Sequence, residues 1–166
     1  AQVELVDEAV LEANDLPDLA IDQEILEVFL LEMQELLAEW VRTAGQLRAM
    51  PSNGMLIANL RRVAHTVKGA ARMVGFNDLG TIGWRVEEVL DLLDERDLAA
   101  DPAVMDFVDR SYALVERLSA DTSVAPSTYA AESAELDRLH EQLADAIKSG
   151  ELGTSREAQA EDRLVA

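Results

Sequence analysis

Residues 59–75, NLRRVAHTVKGAARMVG, carry apolar side chains at the spacing of an α-helix. On an ideal helix the apolar stripe consists of Leu60, Val63, Val67, Ala70 and Val74. The opposite side gathers His65, Lys68, Gly69 and Arg72. We therefore predict a helix whose imidazole faces water, with a Lys one turn away and a Gly that leaves room for an anionic group. Phosphate is the obvious candidate, and the alternative is an ordinary surface His on an amphipathic helix.

The charge distribution indicates a contact surface around this helix. The chain has 14 Lys and Arg against 33 Asp and Glu, a net charge of −19. Residues 40–77 contain six Lys and Arg and no acidic residue, so this window carries +6 and the rest of the chain −25. Such asymmetry usually marks a surface that meets a partner, here an acidic protein or a phosphoryl group. The excess of acidic residues makes nucleic acid and an anionic membrane poor partners.

Amphipathic segments occupy most of the chain, and no strand pattern competes with them. Asp22 is a candidate N-cap for a long helix before the His65 helix, Asn77 or Asp78 for the helix after it, and Asp101 for the next one. Four helices with short connections favour an all-α fold, an antiparallel up-down four-helix bundle with extra N- and C-terminal helices. The predicted organisation is a short leading helix over 1–17, the bundle over 18–121, an additional helix over 122–150 and a disordered tail over 151–166.

The helix that follows the His65 helix is predicted to lie alongside it. Gly80 and Gly83 would leave the side of this helix that faces the His65 helix without side chains, so that the two backbones approach closely. Glu87, one turn beyond Gly83, would then reach the imidazole, accept a hydrogen bond from Nδ1 and leave Nε2 unprotonated and outward. The alternative for Glu87 is a solvated surface acid.

The segment His-Thr-Val-Lys-Gly-Ala-Ala-Arg-Met-Val-Gly, residues 65–75, resembles the phosphoacceptor motif of histidine-containing phosphotransfer (HPt) domains. The motif of these domains is His, two residues, Lys, Gly and a further Gly about a turn and a half later. Together with residues 78–90, DLGTIGWRVEEVL, the segment is most similar to HPt domains of the chemotaxis-kinase CheA type. Among these it resembles most closely the large pilus-associated kinases of the ChpA/PilL kind. The resemblance extends over roughly residues 22–118.

The resemblance implies histidine phosphotransfer in a two-component or chemosensory phosphorelay. His65 would accept a phosphoryl group from the catalytic domain of a histidine kinase and pass it to an Asp of a response-regulator receiver. Lys68 would neutralise the phosphoryl charge, Gly69 would leave space for approach, and Glu87 would support the ring. No cofactor is implied on this domain, whereas ATP on the kinase domain and Mg²⁺ on the receiver are implied.

Several residues outside the motif are further candidates. Gln34 matches a Gln that lies close to the phosphoryl oxygens in some HPt proteins, and the alternative is an exposed helix Gln. Arg61 and Arg72, one turn either side of the acceptor and its Lys, are predicted to contact the receiver. Trp84 stands where flagellar chemotaxis kinases tend to have a second His, so a proton-network role of that His is absent. His140 is predicted to lie at the surface.

Other functional classes find little support in the composition. Two His and no Cys argue against a zinc site and exclude thiolate chemistry. No hydrolase motif or Gly-rich ATP loop is present, so this segment has no autonomous catalytic site and its status as an enzyme depends on a parent kinase. With no cysteine, no long apolar run and no signal peptide, we expect a cytoplasmic location without direct membrane contact. The alternative function is an HPt-like helical docking or scaffold module that carries no phosphate.

Overall fold

The structure, a computed structural model, describes residues 22–165. Within this range the chain forms six α-helices and no β-strand, which confirms the predicted all-α fold. None of these helices is both long enough and apolar enough to cross a lipid bilayer. The leading helix predicted over 1–17 lies outside the described residues. The helices are α1 Gln23–Ala49, α2 Gly54–Met73, α3 Asn77–Glu95, α4 Pro102–Ala120, α5 Ala130–Ser149 and α6 Arg156–Val165, with a 3₁₀ helix Pro126–Tyr129 before α5.

The first four helices surround one apolar core. α1 packs against α2 and α4, α3 packs against the same two helices, and α5 lies across α3 and α4. Short connections join consecutive helices, so each one reverses the direction of the chain. The core is built mainly from aliphatic side chains, as expected from the small number of aromatic residues. Its largest fully buried side chains are Trp40, Phe107, Met33, Leu47, Ile57 and Leu60.

The ends of the helices follow from local sequence. The carboxylate of Asp22 accepts a hydrogen bond from a backbone N–H of α1, and Asp101 does the same for α4, so both predicted N-caps are confirmed. The predicted cap at Asn77 or Asp78 is wrong, because both residues lie inside α3, and the N-cap position is Phe76, which carries no capping group. Phe76 instead packs against Phe29, with ring centroids 5.3 Å apart. Gly75 has a φ of 84°, so it ends α2 in a conformation that favours glycine, as predicted.

The prediction of a disordered tail over 151–166 is wrong for α6. The guanidinium of Arg156 donates to the carboxylate of Asp94 and to the main-chain oxygen of Leu98, at the end of α3. Ser155 accepts a hydrogen bond from a backbone N–H of α6 and so caps this helix. The polar composition of the tail is typical of a disordered segment. Ion pairs and hydrogen bonds, rather than apolar burial, stabilise this one.

Candidate functional site

His65 lies near the middle of α2, and its side chain is 63% exposed. Its Nδ1 is 2.7 Å from Oε1 of Glu87, which projects from α3. An ionised carboxylate only accepts hydrogen bonds, so Nδ1 must carry the proton that is shared with Glu87. In the neutral ring the lone pair is then on Nε2. No hydrogen bond to Nε2 is found within residues 22–165, so this nitrogen is free to act as a nucleophile.

Glu87 also binds Lys68, so one carboxylate joins two side chains of α2. Its Oε2 accepts a hydrogen bond from Nζ of Lys68, while the Glu87 side chain is only 14% exposed. Partial burial acts to raise the pKa of Glu87, but the hydrogen bonds from Lys68 and His65 outweigh it and lower this pKa below its ordinary value of 4.5. Glu87 is therefore ionised at neutral pH and remains an acceptor for both partners.

Two glycines of α3 make this contact possible. A Cβ atom on Gly83 would lie 2.9 Å from the backbone oxygen of Ala64 and 2.9 Å from the backbone nitrogen of Lys68. A Cβ atom on Gly80 would lie 2.8 Å from Cγ of Arg72. The close approach of the two helices predicted from these glycines is thus confirmed, and it brings Glu87 within reach of the imidazole.

Gly69 serves a different purpose from the glycines of α3. It lies one turn after His65 on the exposed side of α2, and a Cβ atom built there would have no neighbour within 4 Å. Glycine inside a helix costs about 1 kcal/mol relative to alanine. Among the described residues no contact between helices requires a glycine at this position, and open space lies beside the ring.

The cations around His65 are arranged differently from the prediction. Arg61 was expected to be available to a partner, but NH1 of this residue lies 2.8 Å from Oδ1 of Asp91 on α3, and both side chains are half-buried. Arg72 is exposed, and within the described part of the chain it forms no ion pair. Arg62, which the helical pattern does not predict as a contact residue, is exposed, and within the described part of the chain its guanidinium donates only to the amide oxygen of Asn59. Arg62 and Arg72 are therefore the cations on either side of His65 that remain available.

Gln34 does not join these residues. Its side chain lines a shallow groove between α1 and α4, together with Leu37, Glu116 and Ser119. His65, in contrast, faces α3. The groove places Gln34 beside α4, and its proximity to the phosphoryl oxygens stays a prediction. Of its two interpretations, an exposed helix Gln fits the structure.

His140 is buried, and the prediction of a surface position is wrong. Its side chain is 7% exposed, and its Nε2 lies 3.1 Å from Oε2 of Glu88. The signal was present in the sequence, because His140 falls on the same stripe of α5 as the buried residues Leu136, Leu143 and Ile147. The polar neighbours of His140 hid this periodicity. Among the residues from 22 to 165, no group of three or more His, Asp or Glu side chains is placed to hold a metal ion.

A prediction about pH follows from the lowered pKa of Glu87. This carboxyl regains its ordinary pKa of 4.5 on unfolding, so its contribution to stability is complete above pH 4.5 and is lost as the pH falls through the folded-state pKa. At neutral pH we expect Glu87→Gln to lower the free energy of unfolding by about 1 kcal/mol. Urea titrations should show this difference shrinking at acid pH, whereas Glu141→Gln, an exposed control on α5, should show no such trend. A difference for Glu87→Gln that stays constant to about pH 3 would contradict the assignment.

A helical bundle with an exposed His, held at Nδ1 by a carboxylate of the neighbouring helix, is the arrangement expected of a histidine phosphotransfer domain. The chain belongs to the Hpt domain family, whose model matches residues 24–149, from the start of α1 to the end of α5. This membership supports histidine phosphotransfer in a phosphorelay as the activity of the chain.

The chain is similar to parts of two longer proteins. It is 29% identical over 140 residues to the "Sensor histidine kinase CheAY" of Helicobacter pylori, over 84% of this chain and 17% of that relative. It is also 29% identical over 97 residues to the "Chemotaxis protein CheA" of Listeria monocytogenes, over 58% of this chain and 16% of that relative. The chain thus spans about a sixth of the length of these curated relatives. No solved structure matches the chain.

Proposed function

We propose that His65 is the phosphoacceptor of this domain, and that the domain serves a chemosensory histidine kinase of the pilus-associated ChpA/PilL kind in the cytoplasm. The observation that carries this proposal is the hydrogen bond between Nδ1 of His65 and Glu87. It fixes the tautomer whose free nitrogen, Nε2, is the nucleophile on an exposed ring. A docking module without phosphate would have no use for this arrangement, which weighs against that alternative.

The proposed chemistry consists of two transfers at one nitrogen. In the first, the Nε2 lone pair attacks the γ-phosphorus of ATP on a kinase catalytic domain. The N–P bond forms while the bond from that phosphorus to the β–γ bridging oxygen breaks, and ADP leaves with the electron pair. Nδ1 keeps its proton, so the ring becomes positively charged, and the carboxylate of Glu87 stabilises this charge as it develops.

In the second transfer, a carboxylate oxygen of the receiver Asp attacks the same phosphorus, with Mg²⁺ bound by the receiver. The O–P bond forms, the N–P bond breaks, and its electron pair returns to Nε2, which restores the neutral ring. Lys68 lies one turn from His65 and binds Glu87 at rest. In both transfers its ammonium would turn to the phosphoryl oxygens, and the open space at Gly69 would admit the partner.

The receiver is proposed to dock on the outward face of α2. Arg62 and Arg72 supply positive charge on either side of His65, and a receiver presents carboxylates around its acceptor Asp. Met73, 88% exposed at the end of the same helix, supplies an apolar contact beside these charges. The −25 carried by the rest of the chain would repel an acidic partner and restrict its approach to this face.

A charge-reversal experiment tests this docking face. Arg62→Glu combined with Arg72→Glu should slow transfer to the receiver by about tenfold or more at low salt, mainly through slower association. Raising the salt to physiological ionic strength, where the Debye length is about 8 Å, should slow transfer from the wild type more than transfer from the variant. The matched control, Arg96→Glu with Arg163→Glu, makes the same charge change away from His65, because Arg96 lies at the end of α3 and Arg163 lies on α6. Stopped-flow rates that respond equally to the two double variants would show that the cations beside His65 do not steer docking.

The proposed function is tested by incubating the domain with the catalytic domain of a CheA-type kinase and radiolabelled ATP. We expect one label that is lost in acid and kept in base, and that moves to a receiver when the receiver and Mg²⁺ are added. The label should move faster to receivers of pilus chemosensory systems than to those of flagellar systems. If the kinase domain labels its own HPt domain in a parallel reaction but never labels this chain, the proposal is refuted.

A further inference from the structure

α3 carries two consecutive glutamates that bind the two histidines of the chain. Glu87 binds His65 on α2 at 2.7 Å, and Glu88 binds His140 on α5 at 3.1 Å. Consecutive residues point about 100° apart around a helix, so the two ion pairs hold α3 from two sides. If α3 rotates about its axis and one of the two ion pairs stays intact, the distance between the partners of the other pair must change.

The contact with α5 is more than a surface ion pair. His140 lies between two aromatic rings, with its centroid 5.3 Å from that of Trp84 on α3 and 6.4 Å from that of Phe107 on α4. Trp84 precedes Glu87 by about one turn of α3. Nδ1 of His140 is buried and has no hydrogen-bond partner in the described part of the chain. The bond from Nε2 to Glu88 is therefore the polar contact that orients this ring.

We infer that His140 is a positioning residue for phosphotransfer: by holding Glu88 and Trp84, it fixes α3 and thereby the carboxylate of Glu87 that orients His65. The inference rests on the proposed role of His65 as the acceptor. A misplacement of about 1 Å at a reacting group can cost a hundredfold in rate, so the rotation of the helix that carries Glu87 must be held closely. His65 is too exposed to be oriented by packing, and its orientation depends on Glu87.

Two variants remove the proposed link in different ways. His140→Phe keeps a ring between Trp84 and Phe107 but cannot donate to Glu88. Glu88→Ala removes the partner from the other side, and because Glu88 is 29% exposed, its loss leaves the core intact. His140→Gln restores a donor at the position of Nε2 and serves as the conservative rescue. Ile147→Val, a buried change further along α5, controls for simple loosening of that helix.

The first readout is the tautomer of His65 in the unphosphorylated domain, from long-range ¹H–¹⁵N spectra with circular dichroism to verify folding. We expect the wild type and Ile147→Val to hold the proton on Nδ1, and His140→Phe and Glu88→Ala to show a mixture of tautomers. His140→Gln should recover most of the wild-type pattern. The second readout is the rate of phosphorylation, which should fall about tenfold in His140→Phe and Glu88→Ala.

The tautomer measurement needs no kinase, so it decides the inference even if the domain is never phosphorylated. A pure Nδ1–H tautomer in folded His140→Phe and Glu88→Ala would overturn the positioning role. So would an equal disturbance in Ile147→Val, because His140 would then act only through the stability of α5. Should the wild type hold Nδ1–H and take no phosphate while His140→Phe and Glu88→Ala show the mixture of tautomers, the proposed function fails and the coupling between α5 and His65 stands.

Discussion

His65→Gln is expected to abolish phosphorylation of the domain, with the label falling to background. The amide of Gln is not a nucleophile comparable to the imidazole, and no second histidine is positioned to replace it, because His140 is buried between α3, α4 and α5. The loss of one hydrogen bond to Glu87 should lower the free energy of unfolding by no more than about 1 kcal/mol. The variant should therefore remain folded at room temperature.

The control for this experiment is His140→Gln, which changes the other histidine in the same way. It should keep the label, since its amide can still donate to Glu88. Phosphorylation is measured with the kinase catalytic domain in excess, and the helical signal in circular dichroism verifies the fold. A label that persists in His65→Gln and disappears in His140→Gln would refute the assignment of the acceptor.

Gly83→Ala is expected to have the second largest effect, because the added methyl would meet backbone that cannot move aside. The added Cβ atom would lie 2.9 Å from backbone atoms of Ala64 and Lys68, which is closer than Cβ atoms come to other atoms in real proteins. Overpacking of this kind costs about 1–3 kcal/mol, and relief requires α3 to move away from α2. That movement would separate Glu87 from His65, so phosphorylation should slow by about tenfold or more in the fraction that stays folded.

Gly69→Ala is the matched control for Gly83→Ala. It is the same substitution in the adjoining helix, at a position where the methyl meets nothing within 4 Å. We expect it to stabilise the free domain by up to about 1 kcal/mol, because alanine favours the helix, and yet to slow transfer by crowding the partner. Urea unfolding and transfer rates of both variants test this. Equal stability changes in the two variants would show that α2 and α3 do not approach as closely as described.

Much of the fold follows from periodicity. The apolar spacing around Val63 and Val67 predicts the buried face of α2, and Gly75 marks its end. The site follows in part as well, because Gly80 and Gly83 predict which face of α3 meets α2. Glycine inside a helix costs stability, so at Gly80 and Gly83 it indicates a close contact between two helices.

The remaining features depend on pairs of residues far apart in the sequence. A helical wheel places Arg61 on the same side of α2 as His65, but the presence of Asp91 opposite it emerges only from the packing of α3. The same holds for His140 with Glu88 and for Arg156 with Asp94. Gln34 illustrates the same limit of periodicity, since the pattern gives its helix but leaves open which neighbouring helix it faces. Periodicity predicts faces, whereas the partners of charged side chains are set by the assembled bundle.

The central claim is that His65 receives phosphate on Nε2 while Glu87 holds Nδ1. Long-range ¹H–¹⁵N spectra of the domain, recorded before and after phosphorylation by the kinase catalytic domain, test it most directly. We predict that the Nε2 resonance of His65 shifts on phosphorylation, that Nδ1 keeps its proton, and that the His140 ring keeps its two resonances. A phosphoryl group on Nδ1 of His65, or on His140, would contradict the account.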